Sequence, residues 1–164
     1  MDRQTFFPFV TLLTLIFFIF LALSACSDKN SPEEHVRQYV ASAVVAAESR
    51  EALAIHQLVS DKYKDESRRD RRKLVGLAVG YFLRHKNINI FTQISEINFT
   101  VPGESRVKLY AAMTGSPVKN AQALLDMRAD LYLFDLVMTN ESGEWLLKKA
   151  SWQRASIEDI VGWE

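Results

Sequence analysis

Asp135 is the side chain best placed to do chemistry, because LYLFDLV sets a carboxylate among apolar neighbours on a strand-like segment. Burial raises a carboxyl pKa and makes the group a usable acid or base near neutral pH. A partner is expected from a helix, as Tyr81 or His56, since Tyr132 stands three residues away and points to the other face of a strand. The competing reading places Asp135 at a wet rim or opposite an arginine, and no second acid completes a pair. His35, His56 and His85 fall in separate elements, without the close helical spacing or cysteine support of a metal site. There is no Gly-x-Ser-x-Gly elbow and no glycine-rich phosphate loop, so the expectation is no metal and no cofactor.

The totals limit the function classes. Twenty basic residues balance twenty acidic ones in 164, which does not favour nucleic acid or an anionic surface. One cysteine excludes an intramolecular disulfide, so a folded domain must rely on its apolar core. The run Asp61–Lys73 holds seven basic and four acidic residues and reads as a solvated approach to a helix. Arg68, Arg69, Arg71 and Arg72 are its candidates for docking an acidic partner or a lipid phosphate. Asn98-Phe99-Thr100 and Asn140-Glu141-Ser142 match glycosylation acceptors but read as strand and turn residues.

The single cysteine, Cys26, follows FFPFVTLLTLIFFIFLALSA, twenty uncharged residues after Arg3. A basic start, an apolar middle and a small-residue end describe an export signal, although twenty apolar residues are also enough for a permanent span. Leu23-Ser24-Ala25-Cys26 resembles the bacterial lipoprotein box. The resemblance implies a signal peptide over 1–25 that is removed, leaving Cys26 acylated and membrane-attached. Ser27, where an aspartate would mark retention at the inner membrane, implies the periplasmic face of the outer membrane, with inner-membrane anchoring as the alternative. Residues 26–32 are then the lipidated cysteine and a polar tether.

The elements that would position a site follow. Ser31-Pro32-Glu33-Glu34 has the form of a capping box, and Val36, Tyr39, Val40, Ala43, Val44 and Ala47 repeat at helical spacing through about Glu48. A second helix is expected from about Arg50 to Val59. A third, from about Arg69 to His85, carries Leu74, Leu77, Ala78, Tyr81 and Phe82 and is expected to be the most buried. Beyond Asn87 the period becomes strand-like through Val101, and a parity change between Ile94 and Ile97 predicts a bulge. Pro102-Gly103 turns into a strand through Val107, Leu109, Ala111 and Met113. Gly115–Leu125 is looser, with one helical turn, and strands follow at 127–139 and 144–154 around a turn at Asn140–Gly143. In a regular last strand Trp145 and Trp152, seven apart, point to opposite faces, one into the core and one onto a patch suited to a partner. Trp163 lies in a C-terminal tail, 155–164.

This order makes an α+β domain, three N-terminal helices packed on a curved, mainly antiparallel four-stranded sheet. With LVSDKYKDESRRDRRKL, GYFLRHKNINI and GEWLLKKASW, it resembles the nuclear transport factor 2-like superfamily over residues 33–154. The resemblance implies a cone-shaped domain. It also implies three functional classes: a non-catalytic domain binding a small apolar ligand or an envelope protein through its concave sheet, a small isomerase or dehydratase using Asp135, and a homodimeric assembly subunit. Fold alone does not choose among them.

Overall fold

The computed structural model describes residues 31–126 and 129–161. The leader, Cys26 and most of the tether lie outside the described residues, as does Trp163. Helix α1 spans Pro32–Glu48, and Ser31 Oγ accepts a hydrogen bond from the Glu34 backbone N–H at 3.1 Å, as the capping pattern requires.

Helix α1 stops in a way the sequence does not announce. Arg50 sits at φ 59°, in the left-handed region that glycine usually fills after a helix. Glu51 N–H reaches Ala46 O at 2.9 Å and Arg50 N–H reaches Ala47 O at 3.1 Å, which is the paired closure of a Schellman motif. The Arg50 guanidinium in turn donates to Phe82 O at 2.9 Å, so a strained backbone position delivers a tie between two helices. Helix α2 is therefore Ala52–Gln57, shorter at both ends than its apolar pattern suggests. Its far end is drawn out by the sheet: Leu147 N–H donates to Leu58 O and Ser60 N–H to Leu147 O, both at 3.0 Å.

Helix α3, Arg71–Arg84, begins where Asp70 accepts from Lys73 N–H at 2.9 Å. Within the charge run before it, Asp65 is buried and accepts from Arg69 Nε at 2.6 Å, Arg69 N–H at 2.9 Å and Tyr63 OH at 3.3 Å. Arg71 pairs with Asp61 and donates to Val59 O. Two of the four arginines proposed for docking thus hold the loop to the domain. Burial works to raise the Asp65 carboxyl, but the hydrogen bonds and charge of Arg69 outweigh it and hold the pKa below the ordinary value of 3.8. Because the native value is the lower one, this stabilisation is complete above pH 3.8 and is lost as pH falls through the native value. Asp65→Asn should cost about 1–3 kcal/mol at pH 7, and the gap in urea midpoint between variant and wild type should close on acidification below about pH 4. A gap independent of pH would contradict this assignment.

The four strands β1 (Asn89–Val101), β2 (Glu104–Thr114), β3 (Asp130–Glu141) and β4 (Glu144–Arg154) form an antiparallel meander in sequence order. The first turn has Pro102 before Gly103 at φ 80°, and the last closes tightly on Ser142 at φ 56° and Gly143 at φ 95°, the two left-handed positions of a type I′ turn. That two-residue turn lets β3 run on to Glu141, past the expected end at 139. A short 3₁₀ segment, Ala121–Asp126, lies in the connection between β2 and β3, and a last turn of helix, α4, covers Glu158–Val161.

Register decides which side chains meet the helices. The expected bulge in β1 occurs between Ile94 and Glu96. Two further shifts are unannounced: one at the end of β1 between Phe99 and Val101, and one in β4, where Val137 pairs with Lys149 and Met138 with Leu147, which leaves Lys148 as the extra residue. One extra residue reverses the alternation, so Trp145, Leu147, Ala150 and Trp152 all join the same core as Val107, Leu136 and Met138. The expectation that the two tryptophans face opposite ways is therefore corrected, and neither marks a partner patch on the second face. That face is occupied instead by a smaller cluster, with Ala121 and Leu124 packed near Ala112, Phe91 and Leu131, and by ion pairs.

A second correction concerns α3. Only Phe82 of this helix is buried, whereas α1 buries Val36, Tyr39, Val40 and Ala46. The reason is the space that α3 faces.

Candidate functional site

Between the helices and the sheet lies a cavity of about 350 Å³. Helix α1 contributes Tyr39, Ala43 and Ala47, α3 contributes Leu74, Leu77, Ala78 and Tyr81, and Ile55 comes from α2. The sheet side is formed by Ile90, Met113, Tyr132, Phe134, Leu147 and Trp152. The helical stripes that bind helix to sheet in a filled core are cut back here to alanine at 43, 47 and 78, and the sheet side chains do not reach across. Among the described residues, no carboxylate, imidazole or cationic group is among the lining side chains.

The polar atoms present are mostly committed. Tyr39 OH donates to Leu58 O at 3.1 Å, and burial, with Tyr63 nearby, pushes its pKa above the ordinary phenol value. Tyr81 stands where the apolar cavity meets a polar cleft of about 420 Å³, and the cleft includes His85, Asn87, Thr114 and Asp130. Its ring stacks on His85 with centroids 4.1 Å apart. Partial burial first, then the charge of Asp130 and the neighbouring Tyr132, raise its pKa, so it remains a protonated donor at neutral pH. Outside the lining, the Arg69 guanidinium lies 4.8 Å from the centre of the Trp152 ring, a cation–π contact to one of the wall residues.

The three candidates named from sequence are not brought together. Tyr81 lines the cavity. His56 is half-buried on α2 and is not among the lining residues. Asp135 is on the second face of the sheet, opposite Lys108 in register and 3.4 Å from Arg106 Nε, with its side chain 37% exposed. Lys108 also bonds Glu96 at 3.0 Å, which lowers the Glu96 pKa and raises that of Lys108. Asp135 therefore belongs to a surface ladder of alternating charge, the arrangement its competing sequence reading described. Among the described residues no cluster of three or more His, Cys, Asp or Glu is arranged to hold a metal.

Sequence reasoning did not find the alanines that make the cavity, nor Tyr132 and Trp152 as part of its wall. The available signal was a helical stripe poor in large residues, Tyr39-x3-Ala43-x3-Ala47, facing a strand rich in aromatics.

No protein-family profile and no curated protein matches the chain. Solved structures do. A candidate scytalone dehydratase from Novosphingobium aromaticivorans superposes with a TM-score of 0.63 at 10% identity, over 76% of this chain and 84% of that one. A ketosteroid isomerase-like protein from Erwinia carotovora atroseptica gives 0.57 at 12% identity, over 77% and 98%. A protein of unknown function from Shewanella oneidensis, described as NTF-2 like, gives 0.56 at 11% identity, over 74% and 98%. The chain has the nuclear transport factor 2-like fold, with three N-terminal helices and a four-stranded antiparallel sheet. Proteins named as enzymes and proteins without a known function share it, so the fold does not select an activity.

Proposed function

We propose that this chain is an exported, lipid-anchored binding protein of the bacterial envelope, and that its domain holds a small apolar molecule in the cavity between helices and sheet. The observation that carries the reading is the lining: a cavity of about 350 Å³ walled by aliphatic and aromatic side chains, with no carboxylate, imidazole or cationic side chain among the described residues that line it. Cavities of this size with an apolar wall and one or two polar groups at the mouth suit ligand binding. The Tyr81 hydroxyl, at the junction with the polar cleft, would orient one hydrogen-bonding group of the ligand. Catalysis by Asp135 beside Tyr81 or His56 has less support, since the sheet separates Asp135 from the cavity. The anchor reading rests on Leu23-Ser24-Ala25-Cys26, and outer-membrane placement on Ser27.

The test is to purify the chain from Ser27 onward without detergent, extract it with organic solvent and identify what is released by mass spectrometry. One class of apolar molecule near equimolar amount is expected. Ala78→Leu, which fills the cavity from α3, should remain folded and lose at least about tenfold in affinity, since the void that accepts the ligand is gone. An empty wild type that also fails to take up apolar fluorescent probes would rule the reading out.

A further inference from the structure

The end of the domain nearest the proposed anchor carries exposed apolar side chains that the cavity does not use. Phe99 is 45% and Val101 52% exposed, and the last four residues of β1, an edge strand, are all exposed. Their place is fixed by a short series of contacts. The Phe99 ring meets Trp145 edge-on at 5.9 Å, Trp145 shares a shallow cleft with His35 and Gln38 of the first turns of α1, and Asn140 N–H donates to Gly103 O at 2.8 Å. Both hairpin turns and the start of α1 therefore lie at one end of the domain. The other end holds the close of α1, where Glu48 accepts from Ile90 N–H at 2.8 Å, and the Tyr81–His85 cleft.

Only residues 27–31 separate Cys26 from the first residue of α1. Fully extended, that length reaches about 17 Å. If Cys26 is acylated, a tether this short would keep the start of α1 within that reach of the bilayer.

We propose that the β1–β2 turn rests in the membrane interface, with Phe99 and Val101 inserted at the level where headgroups meet acyl chains, and that this second contact sets the orientation of the domain. The inference rests on the lipid-anchor reading of Cys26. The chemistry of the tip fits a lipid surface: an aromatic and a branched aliphatic side chain are exposed, and two nearby lysines are paired, Lys148 with Glu104 and Lys62 with Glu141. The contact is thus apolar and does not depend on anionic lipid. With the tip inserted, the Tyr81 cleft at the far end faces away from the membrane, towards the aqueous space.

The experiment uses the full acylated chain in vesicles of phosphatidylethanolamine and phosphatidylglycerol containing a spin-labelled phospholipid. Acylation consumes the Cys26 thiol, so Val101→Cys provides a single site for a fluorescent label. Leu83→Cys, at the α3 end and 79% exposed, provides a comparison on the opposite side. Spin-labelled lipid should quench the probe at 101 by about twofold or more, independently of salt, and leave the probe at 83 nearly unchanged. Equal weak quenching at both sites, or stronger quenching at 83, overturns the proposal. A probe at 101 that is already shielded without vesicles also overturns it, because a second copy of the chain would then cover the tip. Intact mass separates the two readings: a chain without acyl groups on Cys26 removes the anchor and this contact together, whereas flat quenching on a chain that carries them removes the contact alone.

Discussion

Deleting Lys148 should abolish cooperative unfolding of the domain, whereas Lys148→Ala should leave it folded. Lys148 is the residue that β4 has in excess of β3, and it keeps Trp145 and Leu147 on the same face as Ala150 and Trp152. Without it the strand must move two of these four to the second face, because side chains alternate with a period of two. Trp145 and Leu147 are 9% and 8% exposed in the native domain. Exposing them forfeits about 1.5–3 kcal/mol for an aliphatic side chain and at least as much for the indole. It also breaks the hydrogen bonds that Leu147 makes to Leu58 and Ser60. Against a total stability of about 5–15 kcal/mol, the deletion removes most of what holds the fold. Lys148→Ala keeps the residue count and loses only the partly exposed pair with Glu104, worth under about 1 kcal/mol. Circular dichroism with urea titration of both variants decides the matter, and a folded deletion variant would show that β4 can shift register without penalty.

If Cys26 is the lipid attachment point, as proposed, Cys26→Ser should release or mislocalise the protein and eliminate incorporation of labelled palmitate. The effect is large because anchoring is a sum over methylenes, each contributing about 0.8 kcal/mol, and one acyl chain by itself binds only marginally. Several chains on one cysteine make attachment effectively permanent, and serine in its place accepts none of them by the thioether route. Unchanged palmitate labelling would show that the lipid is carried elsewhere. Unchanged membrane retention without label would instead favour an uncut apolar span over residues 6–25.

The elements were legible where the cause is local. Ser31 caps α1 through its own side chain, and the β1 bulge shows directly as a change of parity from Ile94 to Ile97. What escaped is set by distant parts of the chain. LLKK in β4 reads equally well in either register, so its bulge is decided by β3 and by the segment at Leu58–Ser60. Arg50 has no local reason to take a left-handed backbone, and the Phe82 carbonyl that it reaches is thirty-two residues away. The candidate site was least legible of all. Asp135 stands out in the sequence because it interrupts an apolar strand, yet its partner is Arg106, on the neighbouring strand. The cavity is made by what alanines leave unfilled, and a helical stripe containing Ala43, Ala47 and Ala78 looks the same whether the opposite wall touches it or not.

That unfilled space has a mechanical consequence. A void is volume that the folded chain carries and the unfolded chain returns to the solvent, and proteins lose roughly 20–100 mL/mol on unfolding in proportion to such voids. Whatever part of the cavity of about 350 Å³ water does not fill gives hydrostatic compression a hold against the folded state, and a bound occupant would remove it. A ligand bound as proposed would thus add to the domain's packing as well as occupy it, by filling space that the three alanines leave open.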